Sequence, residues 1–259
     1  MLVVKKVTKK KQNFKTRHAH WQWWHWLSLV ALLLVLVYGV LWGGQKLIKA
    51  HTFQFYGTIV QRVNTDKKLV ALTFDDGPLP GTTRELLSIL KRNDAKATFF
   101  MLGKNIEAYP DITKSVIASG NEIGNHSYNH RGMAFMSVKE VADEIETTDA
   151  LLRKNGYSPT GIFRPPYGDK LFSLPQYLSK HDMTNIMWNI NPDDHPPASL
   201  SPGKILTTVM ANIQPGSIIV LHPEYEHRSA SLNAVEPIIV TLKKLGYEFV
   251  TVSQLLQYQ

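Results

Sequence analysis

From residue 68 to the C-terminus, short apolar runs alternate with longer amphipathic stretches, and this alternation constrains the fold more than any other feature of the sequence. The runs have the length of buried strands, and most of the stretches between them have helical periodicity. The strand candidates are residues 69–74, 97–102, 122–124, 161–164, 185–188, 217–221 and 247–250, and helical patterns occupy 83–92, 111–119, 138–154, 202–213 and 232–245. Such an order predicts parallel strands joined by crossover helices. Seven strands in 259 residues favour a distorted (β/α) barrel, although the spacing alone leaves a doubly wound sheet open.

The composition excludes several classes of protein. The chain has no cysteine, so it contains no disulfide, zinc–thiolate site or cysteine nucleophile. Its net charge of +8 arises in the N-terminal tail, because ten basic residues precede Asp66, the first acidic residue. The rest of the chain has 19 Lys and Arg against 21 Asp and Glu. A nucleic-acid partner would require a basic face on the folded domain, and this charge balance gives little support for one, so we expect no nucleic-acid partner. We also expect the protein to be a monomer.

An uncharged apolar run at residues 26–42 predicts a membrane helix. A helix of this length covers roughly 25 Å of the ~30 Å hydrocarbon core of a bilayer. Tryptophans lie at both ends, and the basic residues before the run place the N-terminus in the cytoplasm. We therefore predict a basic cytoplasmic tail at 1–25, a transmembrane signal anchor at 26–42, an extracytoplasmic stalk at 43–66 and a folded domain at 67–259. The protein would be a single-pass protein of the cell membrane with its folded domain outside.

The alternative is a cleaved secretory signal peptide, which has the same order of basic and apolar segments. The tail of about 25 residues before the apolar run is longer than is usual for a signal peptide. No clear small-x-small cleavage site follows the run. Both interpretations export the folded domain, which would be secreted if the segment is cleaved.

Titratable side chains follow the predicted strands at equivalent positions. Asp75 and Asp76 follow the first strand, His126 and His130 the third, Arg164 the fourth, Asp194 the fifth and His222 the sixth. In parallel α/β folds the carboxyl ends of the strands lie on one face, where catalytic groups gather. We therefore expect these side chains to meet in one site.

The first four of these residues have the chemistry of a metal site. Neighbouring residues in an extended segment point to opposite sides, so one of Asp75 and Asp76 can ligate a metal while the other takes a proton from water. Histidines at i and i+4 on a helical turn present both imidazoles on one face. Two histidines and a carboxylate are a common ligand set for a divalent cation. Each element alone is also compatible with a structural role.

His222 and Arg164 have the chemistry of groups that support such a site. An imidazole at a strand end can act as a general acid toward a leaving amine or alkoxide. An arginine can hold a carboxylate in place, and the two prolines after Arg164 stiffen its loop. A capped strand-end histidine and a plain surface arginine are the structural alternatives.

Four motifs in register resemble the polysaccharide deacetylase family, the NodB-like domain of carbohydrate esterase family four. They are T-F-D-D-G-P at residues 73–78, H-S-Y-N-H at 126–130, R-P-P-Y-G at 164–168 and V-L-H at 220–222. The resemblance covers residues 67–255, so the catalytic domain would be residues 67–259. It implies the distorted barrel of seven or eight strands that the strand count also favours.

The resemblance also implies the role of each residue. Asp75 would be the catalytic base, and Asp76, His126 and His130 would hold a divalent metal, usually zinc and sometimes cobalt or another transition ion. His222 would be the general acid, Arg164 would steady Asp75, and the backbone N–H of Tyr167 would donate to the oxyanion. Tyr167, Trp188, His195 and Leu221 would bind substrate.

The chain departs from the family at the motif Asp-x-x-Asp-Trp. Asn191 stands at the first acidic position, Asp194 at the second, and His195 replaces the tryptophan. We expect Asp194 to tune His222 in spite of these changes. Without the tryptophan, the wall of the substrate groove is expected to differ from that of other members.

The activity implied is metal-dependent removal of N-acetyl groups from a cell-envelope glycan, with release of acetate. Peptidoglycan N-acetylglucosamine is the first choice, because an anchored domain would face the cell wall. N-acetylmuramic acid, poly-N-acetylglucosamine, chitin oligomers and O-acetyl xylan are alternative substrates. A catalytically silent glycan-binding module and a metal-dependent phosphatase are alternatives of a different class, although a phosphatase would need more basic residues near the metal.

Overall fold

A computed structural model describes residues 8–194, 199–224 and 229–259, with side chains from residue 23 onward. The chain forms two units, of which the first ends at Lys46 and the second covers Leu47–Gln259. Helix α1 (Thr8–Ile48) accounts for the described part of the first unit. Its segment Trp23–Ile48 is long and apolar enough to cross a membrane, judged by length and composition, and cleaved signal sequences share both properties.

The second unit is built on a parallel sheet. Its strands are β1 (Ile59–Val60), β2 (Leu69–Asp75), β3 (Thr98–Met101), β4 (Glu122–Asn125), β5 (Ile162–Phe163), β6 (Thr184–Ile186), β7 (Ser217–Leu221) and β8 (Glu248–Phe249). They follow the order β1-β6-β5-β4-β3-β2-β7, and β8 pairs with the start of β2. Every ladder between these strands is parallel. The predicted α/β barrel of about seven parallel strands is confirmed.

The sheet curls until its two edges approach each other. Beyond β6, Ile190 forms a parallel bridge with Ile219 of β7, and the Val220 N–H donates to the Ile190 carbonyl oxygen at 3.0 Å. Beyond β1, Arg62 forms an antiparallel bridge with Ser217. The closure therefore depends on a few backbone contacts and not on a full ladder, which explains the distortion of the barrel.

Helices connect the strands and cover the outer face of the sheet. They are α2 (Pro80–Arg92), α3 (Gly103–Ala108), α4 (Pro110–Ala118), α5 (Val138–Lys154), α6 (Ser173–Lys180), α7 (Pro202–Asn212), α8 (Ser229–Lys244) and α9 (Val252–Leu256). The five predicted helices correspond to α2, α4, α5, α7 and α8. The sequence pattern missed α3, α6 and α9, because helices of eight residues or fewer complete too few turns to show a clear period.

Strand β2 separates two parts of the hydrophobic core. Val70, Leu72 and Phe74 pack on the helix side, whereas Leu69 and Ala71 pack on the inner side of the curled sheet. Successive side chains point to opposite faces, so a strand buried on both faces becomes the continuous apolar run seen in the sequence.

The segment expected as a stalk, residues 43–66, is divided between the two units. Helix α1 continues through Ile48, and from Leu47 onward the chain belongs to the second unit. Strand β1 pairs with β6 through Ile59 and Asn185, and both Val60 and Val63 are buried. This segment covers the edge of β6, whose backbone groups would otherwise be unpaired.

Candidate active site

Four strands deliver the predicted residues to the same edge of the sheet. Strand β2 ends at Asp75, β4 is followed by His126, β5 by Arg164 and β7 by His222. Because the strands are parallel, these ends open into one cavity of about 500 Å³. Its lining consists of Lys49, His51, Asp75, Asp76, His126, His130, Pro165, Tyr167, Trp188, Asn191, Asp194 and His222.

Asp76, His126 and His130 are arranged as metal ligands. The Asp76 Oδ1 atom lies 3.6 Å from His126 Nε2 and 3.1 Å from His130 Nε2, and one ligand atom from each residue fits within 4.8 Å of the others. Within the described part of the chain, this Oδ1 atom is buried and has no hydrogen-bond partner, as expected for an atom that binds a cation. Burial lowers the pKa of His130 to about 4, so its imidazole is neutral and can ligate. Burial alone would raise the pKa of Asp76, but electrostatic attraction to the neighbouring histidines, including the charged His222, outweighs it and lowers this pKa to about 2. These three residues therefore fit a divalent cation.

The carbonyl of Arg164 fixes the orientation of His126. His126 Nδ1 lies 2.7 Å from this oxygen, which can only accept, so Nδ1 carries the proton and Nε2 faces the site as an acceptor. Metal-ligating histidines are commonly oriented by such a bond to their second nitrogen. The backbone of Arg164 therefore takes part in the site as well as its side chain.

The two histidines do not lie on a helical turn, so that part of the prediction is wrong. Residues 126–130 form an irregular loop in which Ser127 and His130 have left-handed φ angles of 69° and 62°. The Ser127 N–H donates to Asn125 Oδ1 at 2.9 Å, and the His130 N–H donates to Ser127 Oγ at 3.1 Å. These local hydrogen bonds replace the helical bonds and bring the two imidazoles together.

Glu144 of α5 braces this loop from beneath. Its Oε2 accepts from the backbone N–H groups of Tyr128 at 2.8 Å and Asn129 at 2.7 Å, and its Oε1 accepts from Asn129 Nδ2 at 3.0 Å. Glu144 is only 5% exposed, so the loop amides are the partners that satisfy its buried carboxylate. The sequence pattern marked α5 only as an amphipathic helix and did not single out this residue.

Asp75 and Arg164 form a buried ion pair. Arg164 Nη1 donates to Asp75 Oδ1 at 2.6 Å, and the side chains of Arg164 and Asp75 are 0% and 2% exposed, respectively. Asp75 Oδ2 lies 3.9 Å from His126 Nε2. The structure thus places Arg164 where the sequence predicted, with one carboxylate oxygen held by the guanidinium and the other beside the metal ligands.

Asp193, and not Asp194, is the partner of His222. His222 Nδ1 donates to Asp193 Oδ1 at 3.0 Å, and its backbone N–H donates to Asp193 Oδ2 at 2.8 Å. Asp193 is fully buried, whereas Asp194 is exposed and lines the cavity. Burial alone would lower the pKa of His222, but the bond and charge of Asp193 raise it to about 9. Of these two adjacent aspartates, only Asp193 points inward to His222. The position of Asp194 in the family motif had led to the wrong choice.

Of the four residues expected to bind substrate, two line the cavity, one is buried in the core and one lies outside the described residues. Tyr167 is 56% exposed at the cavity, and Trp188 lines the cavity with its ring 4.7 Å from that of His51. Leu221 is fully buried in the hydrophobic core on the helix side, so the expectation that its side chain contacts substrate is wrong. As the last residue of β7, Leu221 points opposite to the site that His222 enters. His195 lies outside the described residues.

Lys49 and His51 line the cavity although no motif indicated them. Both follow the apolar helix and stand far from the motifs in sequence, so only the folded chain brings them to the site. A single sequence contains no signal for this contact.

The curled parallel sheet is the fold of the carbohydrate esterase family four structures that this protein resembles. Residues 62–186 match the family described as polysaccharide deacetylase. The chain is 34% identical over 203 residues to a peptidoglycan-N-acetylglucosamine deacetylase of Bacillus cereus, a match that covers 78% of this chain and 95% of that one. The protein belongs to the polysaccharide deacetylase family.

Other relatives differ in length and in the sugar they are named for. The chain is 38% identical over 196 residues to a peptidoglycan-N-acetylmuramic acid deacetylase of Bacillus subtilis. That match covers 75% of this chain but only 40% of the relative. The chain therefore spans less than half the length of this relative.

Solved structures agree with the fold. A crystal structure of a peptidoglycan N-acetylglucosamine deacetylase superposes with a TM-score of 0.72 at 34% identity, over 77% of this chain and 92% of that one. An acetyl xylan esterase of Clostridium thermocellum, solved in complex with a cobalt ion, gives a TM-score of 0.68 at 35% identity, over 73% and 91%. A pseudoenzyme of the same family from Bacillus anthracis gives 0.71 at 29% identity, over 79% and 70%.

Replacing Asp193 is expected to change the pH dependence of the reaction. If His222 acts as the acid, kcat falls as the pH rises through its pKa of about 9. Asp193→Asn removes the charge that raises this pKa, so the alkaline limb of the kcat profile should move down by at least about one pH unit. The measurement is kcat for acetate release across the alkaline range. Asp194→Asn is the matched control and should leave the limb in place, and the reverse pattern would refute the assignment of Asp193.

Replacing Glu144 is expected to weaken metal binding. Glu144→Ala leaves the amides of the histidine loop without their acceptor, and a loss of about 10- to 100-fold in zinc affinity is expected for such a supporting group. Competition with a chromophoric chelator measures this affinity. Asp143→Ala is the control, because Asp143 is exposed on the same helix and its carboxylate pairs with Lys139 at 2.7 Å. Equal zinc affinity in the two variants would contradict the bracing role of Glu144.

Proposed function

We propose that this protein removes the N-acetyl group from N-acetylglucosamine units of peptidoglycan and releases acetate. The observation that carries the proposal is the convergence of a metal-ligand triad, a buried carboxylate and an imidazolium in one cavity. Asp76, His126 and His130 would hold the cation, with Zn²⁺ as the first choice and Co²⁺ as an alternative. When bound, such a cation lowers the pKa of a coordinated water and polarises the acetyl carbonyl.

The residues of the chain divide the proton transfers between them. Asp75 accepts a proton from the attacking water at Oδ2, because Oδ1 is held by Arg164. His222 enters the reaction as an imidazolium and donates from Nε2, because Nδ1 is bonded to Asp193. This proton goes to the sugar nitrogen as the carbon–nitrogen bond breaks. The products are acetate and a free amine on the sugar.

The backbone of Tyr167 would stabilise the developing negative charge. Its N–H belongs to the turn after Arg164, and its side chain lines the cavity beside His130 at a ring separation of 4.6 Å. A fixed backbone donor aimed at an oxyanion is among the largest single contributions to acyl-transfer catalysis.

A second cavity next to the catalytic one supports a polymeric substrate. It has a volume of about 420 Å³ and shares His51, Trp188 and Asn191 with the catalytic cavity. Gln61 and Gln214 also line it, and the Oδ1 atom of Asn191 is buried with no hydrogen-bond partner among the described residues. Carboxamides both donate and accept, as sugar hydroxyl and acetamido groups require.

We also propose that the apolar helix anchors the catalytic unit outside the cell membrane. The cytoplasmic tail would be residues 1–25 and the membrane segment residues 26–42. Its large apolar side chains are exposed, as in a helix that faces lipid. Anchoring would bring the site close to the cell wall.

If the apolar helix is an uncleaved anchor, the full-length chain remains in the membrane fraction. Edman sequencing of the protein recovered from that fraction should find the original N-terminus, and protease added to intact protoplasts should digest the C-terminal unit. A protein recovered from the medium with a new N-terminus near residue 50 would instead support a cleaved signal peptide.

The reaction is tested by acetate release from intact peptidoglycan by the full-length protein in detergent with zinc. Asp75→Asn should reduce kcat on the order of 100-fold or more, the usual scale for an acid–base group. His126→Ala should abolish zinc-dependent activity. Mass spectrometry of the digested product locates the free amine on glucosamine or on muramic acid.

Parallel assays use poly-N-acetylglucosamine, chitin oligomers and acetylated xylan. Release from one of these glycans alone would retain the chemistry and overturn the substrate. No release from any of them, with zinc bound, would favour the silent glycan-binding module, for which the pseudoenzyme relative is a precedent.

A further inference from the structure

The three residues that follow the apolar helix contact the walls of the catalytic cavity. Lys49 Nζ donates to the Tyr167 carbonyl oxygen at 3.0 Å and pairs with Asp169 Oδ1 at 2.5 Å. The Ala50 carbonyl oxygen accepts from the ammonium of Lys170, which is only 1% exposed. His51 Nδ1 donates to the Trp188 carbonyl oxygen at 3.0 Å. The chain thus enters its folded unit directly beside the active site.

The turn that Lys49 contacts has an unfavourable backbone conformation. Tyr167 has φ 59° and ψ 7°, and Gly168 follows with φ 70°. A residue with a side chain is destabilised in the left-handed region, so the surrounding contacts must hold it there. The Gly168 N–H donates to the Pro165 carbonyl oxygen, and the Asp169 N–H donates to the Pro166 carbonyl oxygen, both at 3.0 Å. The φ angle of Tyr167 also determines where its own N–H points.

We propose that Lys49 is a positioning residue that holds this turn, and with it the Tyr167 N–H, in the geometry that stabilises the oxyanion. The inference rests on the proposed function, which assigns that role to the Tyr167 N–H. One ammonium group bridges the carbonyl of residue 167 and the carboxylate of residue 169, so it fixes both sides of the left-handed residue. The segment that directly follows the apolar helix then contributes to the geometry of the active site.

The exposure of Lys49 separates this role from a general contribution to stability. Its side chain is 52% exposed, and that of Asp169 is 21% exposed. Ion pairs this open to solvent contribute little to the free energy of unfolding. Loss of the Lys49 ammonium should therefore leave the fold intact while the turn becomes free to relax. Lys170 is unsuitable for the test, because a buried cation cannot be removed without disturbing the packing around it.

The test compares Lys49→Met with wild type in the full-length protein, in dodecyl maltoside micelles with zinc. The substrate is solubilised peptidoglycan, the polymer that the proposed function names. We expect kcat to fall about tenfold with little change in KM, less than the 10²- to 10³-fold cost of removing an oxyanion donor entirely. Zinc affinity and the melting temperature should stay near those of wild type. Lys49→Arg, which restores a cation beside Asp169, should recover most of the lost kcat.

Two further variants control the interpretation. Lys46→Met makes the same substitution one turn earlier, where the ammonium lies 5.6 Å from the Trp42 ring, and it should not change kcat. Asp169→Asn should lower kcat in the same direction as Lys49→Met. The double variant should be about as impaired as Lys49→Met alone, because both substitutions break the same bridge.

Hydrogen exchange gives a readout that does not depend on activity. In Lys49→Met, the amides of residues 168 and 169 should exchange faster than in wild type, while those of the β2 and β7 strands do not change. Unchanged exchange in the turn, or kcat within about twofold of wild type, would overturn the proposal, since relaxed oxyanion geometry costs more than that. A rise in KM at constant kcat would also overturn it and make Lys49 a substrate contact.

The same experiment distinguishes this proposal from the proposed function. If wild type releases no acetate but the variant exchanges faster in the turn, Lys49 holds the turn and the proposed function fails. If wild type is active and the variant matches it in both kcat and exchange, the proposed function stands and the role of Lys49 is refuted.

Discussion

The buried guanidinium of Arg164 is the interaction on which the rest of the site depends. Its Nη1 binds Asp75 at 2.6 Å and Thr73 Oγ1 at 2.8 Å on β2. Its Nε and Nη2 donate to the carbonyl oxygens of Ile186 and Met187, at 3.1 and 3.3 Å, and its plane lies 3.9 Å from the Phe100 ring centre. A fully buried cation is tolerated only when its donors are satisfied in this way. Because its carbonyl also orients His126, one residue ties the proposed base, the proposed metal ligands and the end of β6 into a single geometry.

Two histidines in the same cavity are held in opposite charge states by their surroundings. His130 has a pKa near 4 because burial disfavours its charged form. His222 has a pKa near 9 because Asp193 outweighs the effect of burial. A histidine that ligates a metal must be neutral and one that acts as a general acid must be protonated, so the environments separate the two functions of one residue type. Asp193 therefore contributes to the chemistry although it does not line the cavity.

Backbone strain is concentrated at the site. Of the six non-glycine residues described with left-handed φ angles, Asp76, His130 and Tyr167 line the cavity and Ser127 lies in the histidine loop. Such conformations persist only where other contacts enforce them. Glu144 enforces the histidine loop from one side, and Lys49 contacts the Tyr167 turn from the other. The sheet edge alone does not determine the positions of the ligands, because braces from α5 and from the N-terminal segment complete them.

The sequence by itself determined the parallel α/β architecture, the apolar N-terminal helix and the residues that meet at the carboxyl edge of the sheet. These properties depend on local periodicity and on the position of residues at strand ends, both of which a single sequence contains. It could not decide between Asp193 and Asp194, because a loop places one of two neighbours inward only after the surrounding strands have formed. It also assigned Leu221 to the substrate, whereas the alternation of β7 turns that side chain into the core. The helical turn expected at residues 126–130 does not form, because the buried Glu144 of α5 accepts from backbone amides of this segment. Such a contact also depends on the tertiary structure. Only the tertiary structure brought Lys49 and His51 to the cavity, because contacts between residues more than 100 positions apart depend on how the whole chain packs.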